Sequence, residues 1–222
     1  MAHDKYKVPT ASKGDVAHTL VKAGLSAVPI YGGPAAELFQ LVIQPPLERR
    51  RLAWMEQVGE KLKELEDKGF DLGKLQNDER FISAVMHASQ LALRTHQKAK
   101  LEALRNAILN VAKGQSPDEA LQHMFLDFVD SLSELHLRIL RLFQAPPPSS
   151  SVSMAGLNFV LEQNIPELRG RREVYDQFWN DLRSRGLVDT VGLHTTASAR
   201  DLEMKHTSNL GDAFLKFISE SK

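Results

Sequence analysis

The sequence predicts an all-α protein: a helical N-terminal and middle region, then a C-terminal domain of short helices closed by a small two-stranded wing. Three observations predict it. Apolar residues recur at steps of three and four from Leu52 through the middle of the chain and again in its C-terminal segments, which is the helical period. Cap residues and glycines interrupt that period at Gly69, Asn77, Gly114, Ser116 and Gly186, where helices start and stop. Strand-like runs are confined to "LVDT" and "EMKHT", both late in the chain.

Three regions follow, residues 1–46, 47–130 and 131–222. In the first, Leu20 to Leu47 reads "LVKAGLSAVPIYGGPAAELFQLVIQPPL", apolar but broken by glycines and by Pro29, Pro34 and the pair Pro45-Pro46. Proline lacks the amide donor and clashes with the preceding turn, so the expectation is two short helices meeting near Tyr31-Gly32-Gly33. Lys22, Glu37 and Gln40 argue against a spanning helix, because a charge at bilayer depth costs about 2.5–3.5 kcal/mol. An amphipathic pair that packs on the protein or lies on a membrane surface fits better, with Leu38, Leu41 and Val42 as the membrane-facing candidates.

In the second region, Leu52, Met55, Val58, Leu62 and Leu65 form one stripe that closes at Lys68-Gly69. A new helix is expected from Asn77 as cap, with Asp78 and Glu79 complementing the helix dipole. It continues through Phe81, Val85, Ala88, Ala92, Leu101, Leu104, Ile108 and Val111, with room for a kink or turn at "RTHQKAK". "SPDE" then places Ser116 at the next cap, Pro117 at the first helical position and Glu119 at the capping-box position.

The third region opens with "SELHLRILRLF", a helix with Leu135, Ile139, Leu142 and Phe143 inward, followed by the linker "QAPPPSSSVS". A short helix over Met154 to Gln163 and a longer one through Val174, Phe178 and Leu182 come next. The longer helix closes at Arg185-Gly186. "LVDT", a polar loop "VGLHTTASARD" and "EMKHT" then supply two strands and a wing. That order is the order of a winged helix-turn-helix. Thr207 ends the wing, Gly211 permits close packing, and Leu210, Phe214 and Phe217 of the last helix seal the core.

Function classes narrow accordingly. Twenty-eight basic residues balance 28 acidic ones, so no overall field attracts nucleic acid or anionic lipid. The absence of cysteine excludes disulfides and thiolate zinc sites, and "MAHDKYKVPTASKGD" has no secretory apolar run. The expected location is cytoplasmic, or peripheral to a membrane. The histidines at 3, 18, 87, 96, 123, 136, 194 and 206 form no metal-ligand spacing, and His123 with Asp127 reads as a solvated pair one turn apart. Gly32-Gly33-Pro34 lacks the strand-before-helix setting of a phosphate loop. Trp54 and Trp179 lie on helix stripes as core residues, and Ser149 to Ser151 read as linker. No catalytic residue, cofactor, metal or small-molecule substrate is expected.

The segments "GGPAAEL", "NDERF", "FLDFVDSLSELHLRILRLF", "FWNDLRSRGLV" and "HTSNLGDAFLKFI" resemble the bacterial Abi-alpha proteins, which are associated with abortive infection, that is, phage resistance. Those proteins share an apolar glycine-rich start, a helical middle and a C-terminal threonine-x-x-glycine-like signature. Here Thr207 and Gly211 are one residue further apart, and the Pro-Ser linker also departs. The resemblance implies a phage-defence role and brings no catalytic residues.

In a winged helix the outer face of a short helix reads DNA, with basic residues at its start on phosphate. Arg169, Arg171 and Arg172 hold that place, and Asn180 and Arg183 continue outward. Asp176 shares the face and Asp181 is near, and residues 131–222 hold 11 Lys+Arg against 11 Asp+Glu. Nucleic-acid binding is therefore expected to be weak, since few counterions can be released. The leading expectation is a non-enzymatic interaction protein that contacts a protein partner or a second copy of itself. The alternatives are a membrane-active effector that inserts residues 20–47 and a winged-helix DNA-binding regulator.

Overall fold

The computed structural model describes residues 34–148, 154–188 and 192–220, with backbone alone for 34–40. The apolar stretch 20–33, the turn at Tyr31-Gly32-Gly33 and linker residues Ser149 to Ser151 lie outside the described residues, as does the side chain of Leu38. The chain divides into two compact units, Met1–Leu52 and Ala53–Lys222. Among the described residues no helix is long and apolar enough to cross a membrane.

Helix α1 spans Pro34–Asp67 and corrects the break expected at Pro45-Pro46, because both prolines lie inside it. Pro34 sits at the first helical position, where a missing amide costs nothing. Pro45 and Pro46 deprive the carbonyls of Leu41 and Val42 of their helical donors. Residues 41–45 are exposed, so water can serve those carbonyls, and the helix survives the loss.

In the second unit α1 buries Trp54, Val58 and Leu65, whereas Leu52, which the sequence places on the stripe, is exposed. The indole takes the inward position because it removes far more apolar surface from water, and its Nε1–H donates to Ser89 Oγ at 2.9 Å. α1 ends as expected. Gly69 takes φ +89°, and the Phe70 amide closes back on the Leu65 carbonyl at 3.0 Å.

A 3₁₀ turn over Leu72–Asn77 leads to α2, Glu79–Arg94. Its cap is Asp78 rather than Asn77: the Asp78 carboxylate accepts from the amides of Arg80 and Phe81, bonds that a charged acceptor makes more strongly than a side-chain amide. The polar break at 95–97 is a true interruption, after which α3 runs Lys98–Ala112 and stops before Gly114 at φ +67°. α4, Glu119–Ser131, is capped by Asp118 accepting from the Leu121 amide. Ser116, the expected cap, instead accepts from Gln122 Nε2 at 2.9 Å. Helices α2, α3 and α4 pack on one another.

α5 covers Glu134–Gln144 with Ser133 as cap. Its buried face is His136, Leu137, Ile139, Leu140 and Phe143, with Leu135 and Leu142 only partly covered. Strand β1, Met154–Gly156, precedes α6, Leu157–Asn164, where one helix was expected. A 3₁₀ turn over Pro166–Leu168 and Gly170 at φ +71° lead into α7, Arg172–Ser184. β2 is Thr196–Ser198, α8 is Ala199–Leu202 and α9 is Asn209–Phe217.

The sheet is antiparallel with Met154 opposite Ser198, Ala155 opposite Ala197 and Gly156 opposite Thr196. Its strands therefore are not the expected pair. Among the described residues "LVDT" and "EMKHT" meet through the bridge of Val188 with Thr207, and β2 comes from the segment read as loop. Alternation was too short in all of these stretches to rank them, and partner choice is set by what packs beneath.

α9 docks as the sequence requires. Phe214 and Phe217 are buried with Phe125 and Phe128 of α4 in one aromatic cluster, with ring centroids 5.4–6.2 Å apart. The carbonyls at the end of α9 are then capped from α3. Asn110 Nδ2 donates to the carbonyls of Phe217 (2.8 Å), Ser219 (2.9 Å) and Lys216 (3.3 Å), and Asn106 Nδ2 to Ile218 (3.1 Å). This cap ties the last helix to the middle of the chain, so residues 53–222 close as one unit.

Candidate interaction surface

Helix α7 forms early in the sequence logic and is held firmly. Tyr175, Trp179 and Leu182 are its buried positions, and Val174 and Phe178 are only half-buried, one step off the predicted face. Trp179 again displaces smaller neighbours, stacking edge-on against Phe143 at 4.9 Å. Tyr175 Oη donates to Glu162 at 2.9 Å, and burial together with that carboxylate pushes its phenol up to about 12.

With those residues inward, the solvent side carries Arg172, Glu173, Gln177, Asn180 and Arg183, and the turn before α7 adds Arg169 and Arg171. All five sequence-derived contact candidates, Arg169, Arg171, Arg172, Asn180 and Arg183, are exposed on this turn and helix. The carboxylates are less available than the sequence implies. Asp176 accepts from His194 Nε2 at 2.7 Å and from Arg172 Nε at 3.4 Å. Asp181 accepts from Gln177 Nε2 at 2.8 Å and pairs with His136 at 3.3 Å. Glu167, in the turn, is bound by Arg138, which holds its carboxyl below the ordinary range. Sequence spacing could show the i,i+4 partners Arg172–Asp176 and Gln177–Asp181. It had no signal for His194, which arrives from the segment read as a loop.

His136 lies beneath this surface and was not singled out by spacing. Its Nδ1 accepts the backbone N–H of Ser133 at 3.0 Å. The amide can only donate, so the proton of the neutral ring is on Nε2 and points to Asp181. Burial pushes the imidazole pKa down; the Asp181 hydrogen bond and charge oppose that shift without overcoming it, while Arg185 and Lys100 add to it.

The fold therefore prefers neutral His136. Its contribution is fully present above the unfolded value of about 6.5 and is lost as pH falls through that value toward the lower folded one. The melting temperature should drop between pH 7.5 and pH 5.5, by about 2–4 °C for each kcal/mol lost in a chain of this size. His136→Gln should flatten that slope. A wild-type melting temperature that holds steady or rises over the interval would sink this account.

The pair His123 and Asp127 is divided in the fold. Asp127 pairs with His87 Nε2 from α2 at 3.3 Å, while His123 lies 3.9 Å from Glu119 and stacks on the His87 ring at 5.4 Å. No group of three histidine or carboxylate side chains among the described residues is arranged to hold a metal ion. Leu41 and Val42 stand exposed on α1. No family model, curated protein or solved structure matches the chain.

Proposed function

We propose that the chain is a non-enzymatic interaction protein with a role in phage defence, and that residues 134–217 act as a winged helix-turn-helix turned to protein contact. The order helix, strand, helix, turn, helix, strand, with β1 paired antiparallel to β2, supports the winged-helix reading. Gly170 supplies the left-handed turn between α6 and α7. The observation that carries the choice of partner is the mixed charge of the α7 surface. Glu173 stands exposed in its first turn, where a groove-reading helix would meet phosphate, and Arg172 beside it is drawn to Asp176 at 3.4 Å.

Alternating signs of this kind suit a protein surface of complementary pattern, where they set register and reject wrong partners. Arg169, Arg171 and Arg183 are the cations best placed to reach such a partner. The defence role rests on the resemblance to Abi-alpha proteins.

Two measurements test the reading. Binding to duplex DNA by anisotropy should be weak at low salt and vanish at moderate salt, because few phosphates are neutralised. In a bacterial host the wild-type chain should lower phage yield, and Arg169→Glu/Arg171→Glu/Arg183→Glu should remove protection without changing the melting temperature. Tight, sequence-selective DNA binding at physiological salt would replace this reading with that of a DNA-binding regulator. No effect on phage yield across a broad panel would end the defence role.

A further inference from the structure

We propose that residues 41–52 dock on an anionic lipid surface, lying in the headgroup layer without crossing the bilayer. The site is independent of α7 and consists of described residues only. Leu41, Val42 and Leu52 are 72%, 63% and 57% exposed, and Ile43 is 37% exposed. At 3.6 residues per turn Leu41, Val42, Pro45, Arg49 and Leu52 fall within a sector of about 100° on α1. Such a stretch of large apolar side chains on one side of a helix marks a contact surface more than chance exposure does.

Charge identifies the occupant. "ERRR", Glu48 to Arg51, gives this short stretch two net positive charges in a chain whose total is balanced. None of the three arginines pairs with a carboxylate among the described residues, and Arg49 turns its Nε–H back to the Pro45 carbonyl at 3.4 Å. Arg50 and Arg51 flank the apolar sector, and their long stems can reach outward to phosphate while the apolar side sinks. A parallel second copy laid on this face would instead set the two arginine triplets against each other.

The prolines fix the depth. Leu41 and Val42 bound the apolar sector on either side of Pro45, yet their carbonyls have no helical donor, because residues 45 and 46 carry no N–H. In hydrocarbon those carbonyls would go unsatisfied, which spanning segments avoid. At the headgroup level water supplies the donor. The same two residues that attract the helix to a bilayer thus keep it at the surface.

Flotation of the full-length chain with vesicles tests the proposal. It should rise with phosphatidylcholine vesicles that contain phosphatidylserine and stay behind with phosphatidylcholine alone. High salt should release it, since each arginine near an anionic surface is worth about five-fold in affinity. Arg49→Glu/Arg50→Glu/Arg51→Glu and, separately, Leu41→Asp/Val42→Asp should each reduce binding by at least about tenfold. Both variants should keep the wild-type melting curve, because these side chains face solvent.

Equal binding to neutral and anionic vesicles, or none to either, would overturn the proposal. So would a dimer by light scattering that Leu41→Asp/Val42→Asp converts to monomer, which would assign the face to a second copy. None of these outcomes bears on the α7 reading, whose variants leave residues 41–52 unchanged.

Discussion

Phe214→Asp is expected to unfold the Ala53–Lys222 unit at temperatures where the wild-type protein is fully native. Phe214 is 0% exposed, its ring 5.4 Å from Phe125 and 5.7 Å edge-on from Phe128. Removing the ring alone forfeits about 3–5 kcal/mol of packing and transfer energy. The carboxylate that replaces it meets aromatic neighbours, so it must either ionise without a partner or bind a proton at neutral pH. Either route adds cost, and the total approaches the whole stability of an ordinary domain.

The loss should spread beyond α9, since Asn106 and Asn110 on α3 hold the carbonyls of residues 216–219 and would lose them together. Thermal unfolding followed by far-ultraviolet circular dichroism checks this, with Phe214→Leu as a milder companion that keeps the site apolar. If Phe214→Asp melts with Phe214→Leu, the aromatic cluster is not closed in solution.

What the sequence disclosed about this region, and what it concealed, have separate physical causes. The helices were legible because burial on one side imposes a 3.6-residue period, and that constraint is local. Caps were legible in type but shifted in place: Asp78 caps one residue after Asn77 and Asp118 two residues after Ser116, and these residue types suit a cap about equally. Inward positions shifted beside each tryptophan, by two residues at Trp54 over Leu52 and by one at Trp179 over Phe178, because the larger ring wins the core.

The sheet was the least legible feature. Three-residue strands carry almost no alternation, and β1 follows the linker that hides it. For the candidate surface, the exposed arginines could be read from the chain. The engagement of the carboxylates between them could not, because Asp176 and Asp181 are met by histidines from distant segments. Pro45 and Pro46 misled for a related reason. Each removes a helical bond, but the residues whose carbonyls they free are exposed, so water can replace the lost donors.

Gly211→Ala is expected to lower the melting temperature by about 6–12 °C, from a cost of about 3 kcal/mol in a chain of this size. A methyl group sounds minor in a helix, where alanine ordinarily stabilises relative to glycine by about 1 kcal/mol. Here it has nowhere to go. A Cβ at 211 would lie 2.1 Å from the Leu187 carbonyl oxygen and 3.0 Å from its carbon, both backbone atoms. That oxygen cannot retreat freely, because it accepts the Ser208 amide at 3.0 Å, and Ser208 in turn caps α9 by accepting the Gly211 amide at 2.9 Å.

The Val188–Thr207 bridge holds the same two segments together from the other side. Relief therefore means withdrawing α9 as a body, which loosens Phe214 and Phe217 in the core and strains the bonds from Asn110. Gly59→Ala on α1 is the control: beyond its chain neighbours and the backbone of its own helix, nothing lies within 4 Å of its added Cβ, so the same substitution should be neutral or slightly stabilising. If both variants melt like wild type, α9 does not sit against Leu187, and the close approach that explains a glycine four residues after Thr207 is absent.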